Sequence, residues 1–144
     1  LIGELCRRAV ESRFVTAFYG LIDSHHVLHY CNAGHNPPFL LSSRGVERLE
    51  IGGTVLGLFG VSTFDNGEVP FAPGDMLVLF SDGVTEAEDP AGEEFGDDRL
   101  AAVIEPLRAR SATEVRDAVQ QEVHVFCGGA PARDDVTVLI VRAR

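Results

Sequence analysis

The chain predicts an α+β fold in which strands paired as hairpins come first, two helices follow, and one strand closes the sequence. Three observations carry this. The first half alternates short apolar runs with polar or glycine-containing turns, the signature of hairpins and an antiparallel sheet. Residues 97–126 switch to a period near 3.6, which marks two amphipathic helices. Two runs, Met76 to Phe80 and Val136 to Val141, are apolar without interruption, as strands in the middle of a layered domain are. Helices grouped after hairpins give segregated layers.

Taken in order, LIGELCRRAVE places Leu1, Leu5, Ala9 and Val10 on one face at helical spacing, so it reads as the last turns of a helix. Phe14 to Ile22 is rich in aromatic and β-branched residues. Asp23-Ser24-His25-His26 separates it from Val27 to Cys31, and the two runs predict a hairpin. NAGHNPP, from Asn32 to Pro38, reads as a loop, because its two prolines forbid a helix or a central strand. Phe39 to Leu41 and Val46 to Leu49 flank a Ser-Ser-Arg-Gly turn and predict a second hairpin. Gly52 to Gly60 carries four glycines, too many for a good helix. A third pair of runs lies around Val61 to Phe64 and Glu68 to Phe71, and Pro73-Gly74 turns the chain into the run at Met76.

Beyond Asp82, Leu100, Val103, Ile104 and Leu107 fall at i, i+3, i+4 and i+7, a helix that Pro106 ends early. Ser111 and Glu114 form a capping-box pattern. Val115, Ala118, Val119, Val123 and Phe126 then define a second helix face, stopped by Gly128-Gly129 and Pro131.

The 144 residues suffice for one domain with its own core, and residues 1–144 are read as a single domain. Net charge is −10, and the arginines, which account for all twelve basic residues, form no basic stripe. That excludes a nucleic-acid-binding surface of the usual kind. No apolar run reaches the length of a membrane span. Cys6, Cys31 and Cys127 are widely spaced and odd in number, the pattern of reduced thiols, so a cytoplasmic location is expected.

Four places offer chemistry. Asp82 follows the run Met76 to Phe80, with Gly83 next to it; Asp134 and Asp135 precede the run Val136 to Val141. If those strands are neighbours in one sheet, the carboxylates meet at one end of it. A hard divalent cation would relieve their repulsion, and oxygen ligands suit Mg²⁺ or Mn²⁺. The alternative is an Asp-Gly turn and a strand cap without ligands, which local rules alone favour because such turns are common. His25, His29 and Cys31 share one face of a strand at Val27 to Cys31 and offer N/S ligands for zinc; no CxxC pair supports that set, and a polar turn beside a half-exposed strand is the favoured reading. His35 in NAGHNPP, with Asn32 and Asn36 in the same loop, is a general acid or a hydrogen-bonded corner. Gly52 to Gly60 lacks the P-loop lysine and the GxGxxG spacing, which leaves close backbone packing as its role. No GxSxG segment occurs, so Ser81 is not read as a nucleophile.

FVTAFYGLID, NAGHNPP, GTVLGLF, GDMLVLFSDGVTEA, FGDDRL and DDVTVLIV, in this order, resemble the SpoIIE-type branch of the PPM metal-dependent protein phosphatases from about Phe14 to the C-terminus. The resemblance implies an αββα sandwich of two antiparallel sheets flanked by helices. It implies hydrolysis of phosphoserine and phosphothreonine by a water held between two Mn²⁺ or Mg²⁺ ions, without a phosphoenzyme. It implies a phosphoprotein substrate of the anti-sigma-factor-antagonist type in bacterial signalling. Asp82 matches the ligand of the family's SDG motif, with Gly83 shaping the loop. Asp134 matches the first aspartate of the DD-x-T motif, and Asp135 is an adjacent ligand or water-orienting group. Asn32, His35 and Asn36 lie in a candidate active-site loop.

The family's bridging Asp-Gly motif lies upstream of the FVT strand, and only thirteen residues precede Phe14 here. The chain is therefore expected to be the C-terminal part of the domain, missing its N-terminal strands and binding metal weakly. Open sheet edges predict self-association. The alternative function is a catalytically silent, phosphatase-like module that binds a signalling partner.

Overall fold

In the computed structural model the described residues are 14–57, 62–130 and 134–144. The helix expected at Leu1 to Glu11 and the thiol of Cys6 lie outside them. The fold is α+β, with two four-stranded sheets and helices. The chain divides into two compact units, Leu1–Pro37 with Leu49–Phe71, and Pro38–Arg48 with Ala72–Arg144.

The first unit is built on β1 (Ala17–Ile22) and β2 (Val27–Ala33), an antiparallel hairpin in which Ala17 faces Ala33 and Ile22 faces Leu28. Asp23 closes the turn, its Oδ1 accepting from the amides of His25 and Val27 at 2.8 and 3.0 Å. Such an Asx-type closure is why aspartate suits the position. β2 runs two residues further than its apolar pattern predicts. Asn32 and Ala33, expected in the loop, continue the strand because β1 and β5 (Gly52–Gly53) both pair with them.

β5 pairs with β2 in parallel, so the first sheet is not wholly antiparallel. A Cβ at Gly52 would lie 1.8 Å from the Asn32 carbonyl oxygen. Close backbone packing is thus what this part of the glycine-rich stretch provides. The third pair of runs does not form a hairpin. Residues 62–66 carry no strand, Val61 is outside the described residues, and β6 (Gly67–Pro70) pairs antiparallel with β2. Gly67 permits this pairing, since a Cβ there would meet the Tyr30 ring at 2.4 Å.

The second unit holds an antiparallel sheet of order β4-β3-β7-β8, from β3 (Phe39–Ser42), β4 (Gly45–Arg48), β7 (Met76–Phe80) and β8 (Val138–Arg142). α1 (Asp82–Thr85) follows β7 directly. α2 (Gly96–Ile104) ends in a 3₁₀ turn at Glu105–Leu107, where Pro106 removes an amide donor. α3 (Ala112–Phe126) starts on a complete capping box between Ser111 and Glu114 and ends where Gly128 and Gly129 take positive φ.

Leu100 and Ile104 of α2 and Val115, Val119 and Val123 of α3 pack with Phe39, Leu41, Met76, Val78 and Phe80 of the sheet. These are the helix faces that the periodicity predicts. β7 is buried on both faces, as an uninterrupted apolar run should be: Met76, Leu77, Val78 and Phe80 are all buried. β8 has the same composition but is an edge strand, and its Leu139 is 55% exposed. It also starts at Val138 rather than Val136, so residues 134–137 form a connection leading into it.

Candidate metal centre

β7 and β8 are neighbours and antiparallel, with Phe80 opposite Val138. The C-terminal end of β7 and the N-terminal end of β8 therefore coincide. Asp82 leaves the first and Asp134 and Asp135 precede the second, so both carboxylate segments sit at one end of one sheet. The buried strand fixes the backbone, while all three aspartates remain exposed.

Three contacts hold the two segments together. The Ser81 amide donates to the Thr137 carbonyl at 3.0 Å. The Ser81 hydroxyl donates to the Asp135 carbonyl at 2.7 Å and accepts from the Thr137 amide at 2.9 Å. Gly83 is buried against the same loop, where a Cβ would lie 2.6 Å from the Asp135 carbonyl oxygen. The Asp82-Gly83 turn expected from sequence is instead the start of α1. Ser81 stands at its N-cap in extended conformation, yet its side chain makes no cap hydrogen bond, because the loop before β8 takes the hydroxyl.

The carboxylates share one arrangement. Asp82 Oδ1 accepts from the Gly83 amide at 3.0 Å, and Asp134 Oδ1 accepts from the Asp135 amide at 2.7 Å. Each side chain is thereby oriented through one oxygen, and the other makes no hydrogen bond among the described residues. An oxygen donor set of this size fits a hard cation that retains several waters and uses one or two carboxylates. A cleft of about 450 Å³ adjoins the site, lined in part by Gly83, Glu86, Asp89, Cys127 and Asp134. Its acidic lining favours cations. Among the described residues no group of three or more His, Cys, Asp and Glu side chains converges as a metal cluster.

The other candidates lie in the first unit. Asn32 is buried, and both ends of its amide are engaged: Oδ1 accepts from the His35 amide and Nδ2 donates to the His35 carbonyl, each at 2.8 Å. That pair of bonds shapes the corner. The His35 ring lies with Nδ1 3.3 Å from the Thr16 hydroxyl, and Asn36 is half-buried.

The zinc set of His25, His29 and Cys31 does not form. His29 turns its Nε2 to Asp23 Oδ2 and its Nδ1 to Glu68 Oε1, both at 3.1 Å. With a carboxylate on each nitrogen the ring is a partner for anions, not a ligand in an N/S set. The hydrogen bond to Asp23 is the main reason the His29 pKa is raised; desolvation opposes it, and the bond to Glu68 adds to the rise. Asp23 is lowered to about 2, chiefly by its bond from the Val27 amide and then by His29. Asp23 and Glu68 come together with His29 only through the hairpin register and the β2–β6 pairing, which is why the sequence did not reveal them.

Ser81 is the residue at the candidate centre that sequence reasoning passed over. Its signal was its position, between a buried strand and an Asp-Gly pair.

Residues 1–144 match the family described as Stage II sporulation protein E (SpoIIE) throughout. The chain is 40% identical over 132 residues to Protein IcfG of Synechocystis sp., an alignment covering 89% of this chain and 20% of IcfG. It is 32% identical over 136 residues to the phosphoserine phosphatase RsbU of Bacillus subtilis, covering 92% of this chain and 40% of RsbU. It thus spans less than half the length of either relative. The SiaA-PP2C domain of Pseudomonas aeruginosa superposes with a TM-score of 0.83 at 23% identity, over 99% of this chain and 58% of that one, which shows a shared fold. No helix among the described residues is long and apolar enough to cross a membrane. By its family match over residues 1–144, the chain belongs to the SpoIIE-type branch of the PPM phosphatases.

Proposed function

We propose that this chain contributes the Asp82 and Asp134 metal ligands of a protein serine/threonine phosphatase acting in bacterial sigma-factor regulation. The observation that carries the proposal is the apposition of Asp82 and Asp134 at one end of the β7–β8 pair, held by Ser81 and Gly83. RsbU, to which the chain is similar, is a phosphoserine phosphatase. A phosphorylated anti-sigma-factor antagonist is the substrate class this branch suggests.

Asp82 and Asp134 would hold Mn²⁺ or Mg²⁺ through the carboxylate oxygens not taken by the neighbouring amides. When bound there, the ion supplies Lewis acidity toward a phosphoryl oxygen and lowers the pKa of water. Asp135, beside Asp134, would serve as an adjacent ligand or orient water. The acidic cleft at Glu86 and Asp89 favours a cationic segment of the substrate over a bare anion.

The test is release of phosphate from a phosphoserine peptide by the full-length protein with Mn²⁺. Asp82→Asn is expected to bring release to background. Activity retained by that variant would contradict the assignment.

A further inference from the structure

From the hydrogen bonds at the end of β7 we infer that Ser81 is a positioning residue that sets the spacing between the two metal-binding carboxylates. The inference rests on the metal reading of Asp82 and Asp134 given above.

The two segments are 52 residues apart in sequence, and β-ladder pairing ends at Phe80 and Val138. Beyond that pair, the loop carrying Asp134 and Asp135 has no strand geometry of its own. Ser81 extends the attachment by one residue on each side of its hydroxyl. It donates to the Asp135 carbonyl and accepts from the Thr137 amide, and its own amide reaches the Thr137 carbonyl. One hydroxyl thus acts as donor and acceptor to the backbone on both sides of Val136. Because Asp82 follows Ser81 and Asp134 precedes Asp135, each ligand is one residue from an atom that this hydroxyl fixes. A ligand held by such a support keeps its orientation without the metal, which lowers the ordering cost of binding.

The hydroxyl is not consumed by the helix it precedes. Serine at an N-cap ordinarily accepts from an amide two or three residues on, and here that bond is absent. Its role at α1 is therefore subordinate to its role between the segments. The backbone at Ser81 is extended, with φ −82° and ψ 163°, which a threonine adopts readily.

The experiment compares Mn²⁺ binding, followed by electron paramagnetic resonance, in the full-length protein and in its Ser81→Ala, Ser81→Thr and Asp82→Asn variants, with melting of the metal-free proteins recorded in parallel. Loss of an outer support of this kind weakens metal affinity by roughly 10- to 100-fold. Ser81→Ala is expected to show that loss with a metal-free melting temperature near that of the parent, and Ser81→Thr to restore binding. Wild-type affinity in Ser81→Ala, alongside lost binding in Asp82→Asn, would overturn the inference and leave the metal reading standing. Binding unchanged in Asp82→Asn would overturn both. Weakened binding in Ser81→Ala that threonine does not rescue, with an equal fall in metal-free stability, would assign Ser81 a general structural role and also overturn the inference.

Discussion

Gly83 sits against the carbonyl of Asp135 so closely that a Cβ would approach its oxygen to 2.6 Å. The obstacle is backbone, which cannot rotate aside as a side chain can. Gly83→Ala is therefore predicted to push the loop before β8 away from α1. The cost is about 1–3 kcal/mol, the range for overpacking a buried site. Chemical denaturation would measure it, and a variant as stable as the parent would show that the loop relaxes freely.

Ser111 and Glu114 satisfy each other's amides at the start of α3, the Glu114 amide donating to the serine hydroxyl at 3.2 Å and the Ser111 amide to the carboxylate at 2.8 Å. The bond from the Ser111 amide is the main reason the Glu114 carboxyl titrates below its usual range. Ser111→Ala removes the cap and is predicted to cost about 1 kcal/mol. Since α3 supplies Val115, Val119 and Val123 to the core, the loss should appear as a lower global denaturation midpoint. An unchanged midpoint would contradict it.

His29 gives the first unit a defined pH response. Its folded-state pKa is raised, so the imidazolium contributes stability that is fully present below the unfolded value near 6.5 and is lost as pH rises through the folded value. Asp23, lowered to about 2, acts in the other direction: its contribution is present above the ordinary aspartate range and is lost as pH falls toward 2. Melting temperature is thus expected to decline on the alkaline side of 6.5, and His29→Gln to flatten that decline. A His29→Gln profile parallel to the parent's would contradict the assignment.

β1 pairs with β2 on one side, and its Tyr19, Leu21 and Ile22 are 66%, 50% and 46% exposed. An apolar edge strand of this kind invites pairing with another chain. Sedimentation of the 144-residue chain is predicted to show self-association that rises with concentration and weakens in Leu21→Lys. A monomer at the highest concentration would contradict this.

Much of this architecture was legible because period and punctuation are local. The faces of α2 and α3, the cap at Ser111 and the buried run at Met76 to Phe80 each follow from residues close in sequence. What escaped depends on distant partners. Asn32 and Ala33 became strand because β1 and β5 lie beside them, overriding two nearby prolines. The runs at Val136 to Val141 and Met76 to Phe80 look alike, yet one lies at the sheet's edge and the other within it. At the candidate centre the aspartates and Gly83 could be named from their motifs. The hydroxyl that joins their segments could not, because its partners lie 54 and 56 residues away. The His25, His29 and Cys31 face failed for the same reason, since Glu68 reaches His29 from a strand 39 residues on.

The central claim is that Asp82 and Asp134 act together on one divalent cation. Mn²⁺ titration of Asp82→Asn, Asp134→Asn and the double variant, read by electron paramagnetic resonance, tests it most directly. Each single variant is predicted to lose the binding seen in the parent, with the double variant no weaker than either, as ligands of one site require. Parent-like binding in either single variant would contradict the claim.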